Sequence, residues 1–242
     1  MSTQQVRDIE QYFPTEPWLE RYRDAIEASD EYAEKGAGWG VDWEGAFIFH
    51  IQDIPLAERT IADLPEEIIA ALDAELRSRS AEEVEAIIDA APDEVQADVR
   101  ARDGDIHEQA LAELHETNLA EGPDRIWPEL REEIPEVLRE LLTQLEESLV
   151  DSDTVYAYLD VYDGGCREVD VVQSPDERDH GFRIIGAYGS WRELVNGDGD
   201  IVSMLMAGEF DVDGDMQKIL QYTDGAVALT ELAADQETRF IL

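Results

Sequence analysis

The sequence predicts a chain of mixed α and β structure in which strand-bearing ends flank a long, all-helical middle. Apolar residues alternate with period two near residue 50 and again after residue 153, as half-buried strands require. From 56 to 150 they recur at helical spacing instead. Of 242 residues, 59 are acidic and 18 basic, a formal net charge of −41, yet 43% are apolar. Periodic apolar runs at that density speak for a folded core over disorder. The length allows one large domain or two small ones.

Pro17 and Gly36 bracket a first helix in "PWLERYRDAIEASDEYAEKG". In "WGVDWEGAFIFHIQ", Phe47, Phe49 and Ile51 then fall on one side of a strand, Ile48 and His50 on the other. Ile68, Ile69, Leu72 and Leu76 open the helical middle as one stripe. Ser80 and Glu83 form a capping box ahead of Val84, Ile87 and Ile88. Leu138, Leu141, Leu142, Leu145 and Leu149 make the cleanest helical face of the chain. Pro65, Pro92, Pro123 and Pro128 fall near helix starts or connections, and Pro135 fits the first turn of the last helix. No internal repeat marks a solenoid.

After residue 153, Val155, Ala157, Leu159 and Val161 face one way and Tyr156, Tyr158 and Tyr162 the other, up to a hairpin turn at Asp163-Gly164-Gly165. "GFRIIGAY" reads as a further strand. "SWRELVNG" reads as a short helix with Ser190 as cap and Glu193 completing the box. "DIVSMLMAG" reads as another, from Asp200 as N-cap to Gly208 as stop. The chain thus divides into 1–55 (helix and first strand), 56–150 (a helical insertion or lid) and 151–242 (the remaining sheet).

The charge reads as adaptation to molar salt, implying a salt-loving archaeon or bacterium. At about 1 M ionic strength the Debye length is roughly 3 Å, so surface carboxylates hardly repel one another and keep the chain soluble. Only Lys35 and Lys218 are lysines. With no basic patch to displace counterions from phosphates, nucleic acid is not an expected partner. Cys166 is the single cysteine, so no intramolecular disulfide forms. No signal peptide and no apolar run of about 20 residues is visible, and the expectation is a soluble cytoplasmic protein without a membrane span.

Motifs for chemistry fail on spacing. "EFDVDGDMQK" suggests calcium, but counted from Asp211 the glycine arrives at position 4 (Gly214) and position 12 is Tyr222, against glycine at 6 and glutamate at 12 in an EF-hand. Strand, turn and helix fit better: Phe210 and Val212 inward, Asp211 and Asp213 to solvent, Gly214 at the turn. Asp215 then caps a helix bearing Met216, Ile219 and Leu220. His107 and His115 share a helix face about 12 Å apart, too far for one ion. Cys166 reads as a structural thiol. No nucleophile elbow or phosphate-binding glycine loop occurs, and "NGDGD" at 196–200 is a turn. Neither a cofactor nor a catalytic residue is expected.

What remains is apolar: Trp191, Leu194, Met204, Leu205, Met206, Phe210, Met216 and Ile219 lie within thirty residues of chain and include three of the four methionines. Flexible, polarizable side chains suit a cavity that adapts to an apolar guest. These eight are the candidate ligand-binding residues, against the plainer reading that they are ordinary core.

The run "FRIIGAYGSWRELVNGDGDIVSMLMAGEFDVDGDMQKILQY" is similar to the sterol-carrier-protein type (SCP2-like) of lipid-binding domain, through Trp191, Leu194, Gly197, Gly208, Phe210, Val212, Gly214, Asp215 and Met216. The resemblance implies an α+β fold: a five-stranded, mostly antiparallel sheet covered by helices on one side and enclosing an apolar tunnel. The long all-helical insertion departs from that pattern. It also implies non-catalytic binding or carriage of an acyl, sterol-like or isoprenoid lipid. The rival reading is a structural or interaction protein with a filled core, forming a homo-oligomer through 56–150. An enzyme acting on an apolar substrate is a third.

Overall fold

The computed structural model describes residues 9–151 and 153–242, which form two compact units. One comprises Ile9–Ile54 and Ser148–Phe240, the other Pro55–Glu147 with Ile241–Leu242.

The first unit is built on a five-stranded sheet, and the fold class is α+β as expected. Its strands are β2 (Phe47–Gln52), β3 (Val155–Tyr162), β4 (Gly165–Val172), β5 (Phe182–Ala187) and β6 (Phe210–Gly214), in the order β4-β3-β2-β5-β6. Three of the four pairings are antiparallel; β2 and β5 run parallel, so the sheet is mixed. The β3–β4 hairpin turns through Asp163 and Gly164, both with positive φ (47° and 81°), as a two-residue hairpin loop requires. A short parallel pair, β1 (Tyr12–Phe13) with β7 (Arg239–Phe240), joins the two chain ends of the unit.

Helices cover one face. The N-terminal helix is interrupted where one continuous helix was expected: α1 (Glu16–Glu27) stops at Ala28 and α2 (Asp30–Lys35) restarts behind Ser29, whose hydroxyl accepts from the Tyr32 N–H at 3.0 Å. A side-chain cap satisfies a free N–H at a new helix start, so "AS" at 28–29 is a break that periodicity alone does not reveal. The helix after β5, α10 (Tyr188–Val195), begins two residues before the expected cap, with Ala187 at its start and Ser190 inside it. By contrast α11 (Ile201–Ala207) follows its cap as read: Asp200 accepts from Ser203 N–H at 2.8 Å and Gly208 closes it at φ 77°. α12 (Met216–Gln221) and α13 (Thr223–Ala234) complete the cover.

The second unit is helical, with α3 (Glu66–Ser78), α4 (Ala81–Asp89), α5 (Asp93–Arg100), α6 (Ile106–Glu116), α7 (Gly122–Arg125), α8 (Pro128–Arg131) and α9 (Glu136–Ser148). The Ser80–Glu83 capping box forms. Of the cleanest helical face, Leu138, Leu141 and Leu142 are each at most 2% exposed, with Leu142 beside Gly122 of the same unit, while Leu145 and Leu149 are half-buried. Glu113 is buried but paired, accepting from Arg102 Nε at 2.9 Å and Arg125 Nη2 at 2.5 Å. The void in this core measures about 20 Å³, room for about one water: this unit is filled.

Candidate functional site: an apolar cavity on the sheet

The sheet unit is not filled. Between the sheet and its helices lies an apolar void of about 100 Å³. Its floor is the side of β2 that period-two alternation selects, Phe47, Phe49 and Ile51, extended by Ala157 of β3 and Ile184 of β5. Its cover comes from one stripe of each helix: Trp18, Leu19 and Tyr22 of α1, Trp191, Leu194 and Val195 of α10, Ile201 and Leu205 of α11, Ile219 of α12, and Leu229 and Ala233 of α13. Bulky rings that cannot interdigitate fully leave such a gap where close packing is the rule. Trp39, also in the lining, stacks on Phe47 at 5.1 Å and 12°.

Few polar atoms line this void, and the fold occupies nearly all of them. Trp18 Nε1 donates to Thr238 Oγ1 at 3.0 Å, Tyr22 OH to the Leu229 carbonyl at 2.8 Å, and Trp39 Nε1 to the Gly45 carbonyl at 2.7 Å. Thr230 Oγ1 donates to the Val227 carbonyl at 2.8 Å. Burial holds the Tyr22 phenol well above its usual pKa, so it stays a donor. The indole nitrogen of Trp191 is buried without a hydrogen-bond partner.

Of the eight residues picked from sequence, the structure brings Trp191, Leu194, Leu205 and Ile219 to the void. Phe210 stands behind it, edge-on to Trp191 at 4.7 Å and 65°. Met204 is buried, but against Gly199 rather than the void. Met206 is 86% exposed and Met216 38% exposed; both face solvent and neither lines the cavity. A flexible residue type is no guide to its helix face. Adjacent positions point about 100° apart, so Leu205 looks in and Met206 out. The α1 and α13 contributions were missed, although Trp18, Leu19, Tyr22 and Ile26 already lie at helical spacing.

The remaining candidates have ordinary roles. Asp215 accepts from Gln217 N–H at 3.0 Å and caps α12 behind β6, so the acidic run is strand, turn and helix. His107 Nε2 lies 2.9 Å from the Arg79 carbonyl and His115 Nε2 2.8 Å from Asp73. Among the described residues no group of three or more His, Cys, Asp or Glu side chains is placed to hold a metal. An open, polar depression of about 420 Å³ on the helical unit is lined by Asp98, Arg102, Glu113 and Arg125. Its two guanidinium groups are already committed to those carboxylates.

Residues 129–224 match the family model of the SCP-2 sterol transfer family, a stretch that takes in β3 to β6 and α10 to α12. A crystal structure of sterol carrier protein 2 is similar at 15% identity over 91% of this chain and 96% of that one, with a TM-score of 0.45. So is the solution structure of a conserved hypothetical protein from Thermus thermophilus, described as possibly a sterol carrier protein. It is 15% identical over 93% of this chain and 90% of that one, with a TM-score of 0.47. No curated protein matches the chain. The likeness first carried by Trp191, Leu194, Gly208, Phe210 and Gly214 is met by the family match: over residues 129–224 this chain is SCP2-like.

Proposed function

We propose that the protein binds or carries an apolar lipid in the cavity of the sheet unit and performs no chemistry on it. One observation carries the reading: an apolar void whose polar atoms, with one exception, are occupied by the fold itself. Such a site offers burial to a guest and little else. No carboxylate, imidazole or thiol lines it. The Cys166 thiol, pushed up to about 12 by burial and by Glu27, is not a thiolate at neutral pH. The family match favours the same reading, as an acyl, sterol-like or isoprenoid guest. No described helix is long and apolar enough to cross a membrane; a cytoplasmic setting without nucleic acid fits the charge of −41.

Size constrains how the guest enters. An apolar cavity of about 150 Å³ holds a benzene-sized molecule, so about 100 Å³ takes only a few carbons in the closed form. A lipid must part the cover, and α11 is the element suited to it: short, and bounded by turns at Gly197 and Gly208. Native mass spectrometry of protein purified in 3 M KCl should retain a lipid, and Nile red should bind at about one per chain. Absence of both would sink the reading.

A further inference from the structure

We propose that the outer side of α11 and α12, where Met206, Met216 and Leu220 stand in solvent, docks on an electrically neutral lipid surface. The inference rests on the lipid-carrying reading and adds the surface at which a guest is exchanged. The contact is interfacial and involves no membrane span.

Among the described residues four large apolar side chains are exposed: Met206 at 86%, Leu220 at 62%, Met216 at 38% and Tyr162 at 37%. Three of the four stand on these two short helices. Leu205 and Ile219 line the void, and Met206 and Leu220 follow them directly in the chain. Consecutive helix positions point about 100° apart, so each helix turns one apolar side chain to the cavity and the next to water. Composition is as uneven as exposure. The seven residues of α11 and the six of α12 include no acidic side chain, although 59 of the chain's 242 residues are acidic. The other helices that line the void each expose a carboxylate, such as Glu20 on α1, Glu193 on α10 and Glu231 on α13. A chain kept soluble by carboxylates thus leaves them off two helices over the same void, and sets methionine and leucine there instead.

Size and charge select the occupant. Three side chains expose roughly a few hundred Å², well short of the about 800 Å² per partner that a stable dimer buries. A lipid surface demands no matching shape. A few apolar side chains entering the boundary between head groups and acyl chains hold a protein there, in proportion to the apolar area buried. Attraction to anionic head groups is not the driving force. α11 has no basic residue, and Lys218, the one cation of α12, stands 3.8 Å over the Trp43 ring. β6, between the two helices, exposes Asp211 and Asp213. Apolar insertion, unlike attraction between charges, is not screened by molar salt.

Flotation of the full chain with phosphatidylcholine vesicles in 3 M KCl tests the proposal. The parent should float with the vesicles. Met206→Asp combined with Leu220→Asp should weaken partitioning by on the order of tenfold or more, with Nile red binding retained and the thermal midpoint nearly unchanged. Met206→Leu should float like the parent. If the paired substitutions lower the midpoint, Met206→Asp alone, at the most exposed position, carries the comparison. A parent that stays off the vesicles, or a double variant that floats as well as the parent, overturns the docking face. So does a parent that sediments as a dimer, dissociates on the double substitution and ignores vesicles, since the face then serves a second copy. Loss of the docking face with Nile red still bound leaves the cavity reading standing. Flotation without any dye binding removes the cavity reading and keeps the docking face.

Discussion

Trp191, Phe210 and Gly186 show how single residues set the cavity wall. A Cβ at Gly186 would sit 2.4 Å from the Phe210 ring and 3.2 Å from Trp191 Nε1, so the missing side chain is what lets both rings lie on β5. Leu205 and Met206 then separate cavity from surface. Leu205→Trp extends a ring into existing space, so it should cost less than the roughly 1–3 kcal/mol of overpacking a dense core while abolishing Nile red binding. Met206→Asp, at a position 86% exposed, should shift stability by no more than about 0.5 kcal/mol and leave dye binding intact. Chemical denaturation and dye titration of the two variants check this. Retained binding in Leu205→Trp, with a large stability loss, would mean the void is not the dye site.

At the scale of elements, the junction from β6 to α12 concentrates the sensitivity. Gly214 has φ 145°, and a side chain there would approach Phe182 to 2.6 Å and the Gly181 carbonyl oxygen to 2.7 Å. Gly214→Val should therefore destabilise by more than the roughly 1–3 kcal/mol of an unfavourable backbone conformation alone. Asp215→Ala removes the α12 cap, at about 0.5–2 kcal/mol. Asp211→Asn, in water, should stay within about 0.5 kcal/mol. Asp213 does more than expected of a wet position, since it meets Arg183 across the strands at 3.0 Å; an exposed pair is worth about 0–1 kcal/mol, which Asp213→Asn would remove. Thermal melts of these four variants with calcium and with chelator should coincide for each, because nothing in the strand–turn–helix gives calcium a binding energy to contribute. A calcium-dependent midpoint lost in Asp211→Asn would overturn this assignment.

For the whole molecule, the 59 acidic residues face 18 basic ones, and the few guanidinium groups are gathered into local pairs such as Arg102 and Arg125 on Glu113. Most carboxylates are left to salt. The Debye length grows from roughly 3 Å at 1 M to about 10 Å at 0.1 M, so neighbouring surface charges that ignore each other in brine repel in dilute buffer. The unfolding midpoint should fall steadily as KCl is lowered from 3 M to about 0.05 M. A midpoint and helix signal unchanged over that range would exclude the adaptation to molar salt. Solubility, in the same series, should not drop at high salt as it would for a near-neutral surface.

Periodicity alone determined most of the elements here: the β2 alternation, the hairpin at Asp163, the caps at Ser80, Asp200 and Asp215, and the helical character of the middle are local effects, decided by neighbours in the chain. The family likeness was equally legible, because it rests on ordered local features. Only the tertiary structure decided which apolar residues surround empty space. Leu205 and Met206 are chemically similar and adjacent, yet one lines the void and the other meets water, since the face a helix buries depends on what it packs against. Likewise periodicity gave Leu138, Leu141, Leu142, Leu145 and Leu149 one face, but only the structure shows that the first three are buried and the last two half-buried. The parallel pairing of β2 with β5, more than a hundred residues apart, is a long-range contact that no local pattern encodes. That pairing places the floor of the cavity.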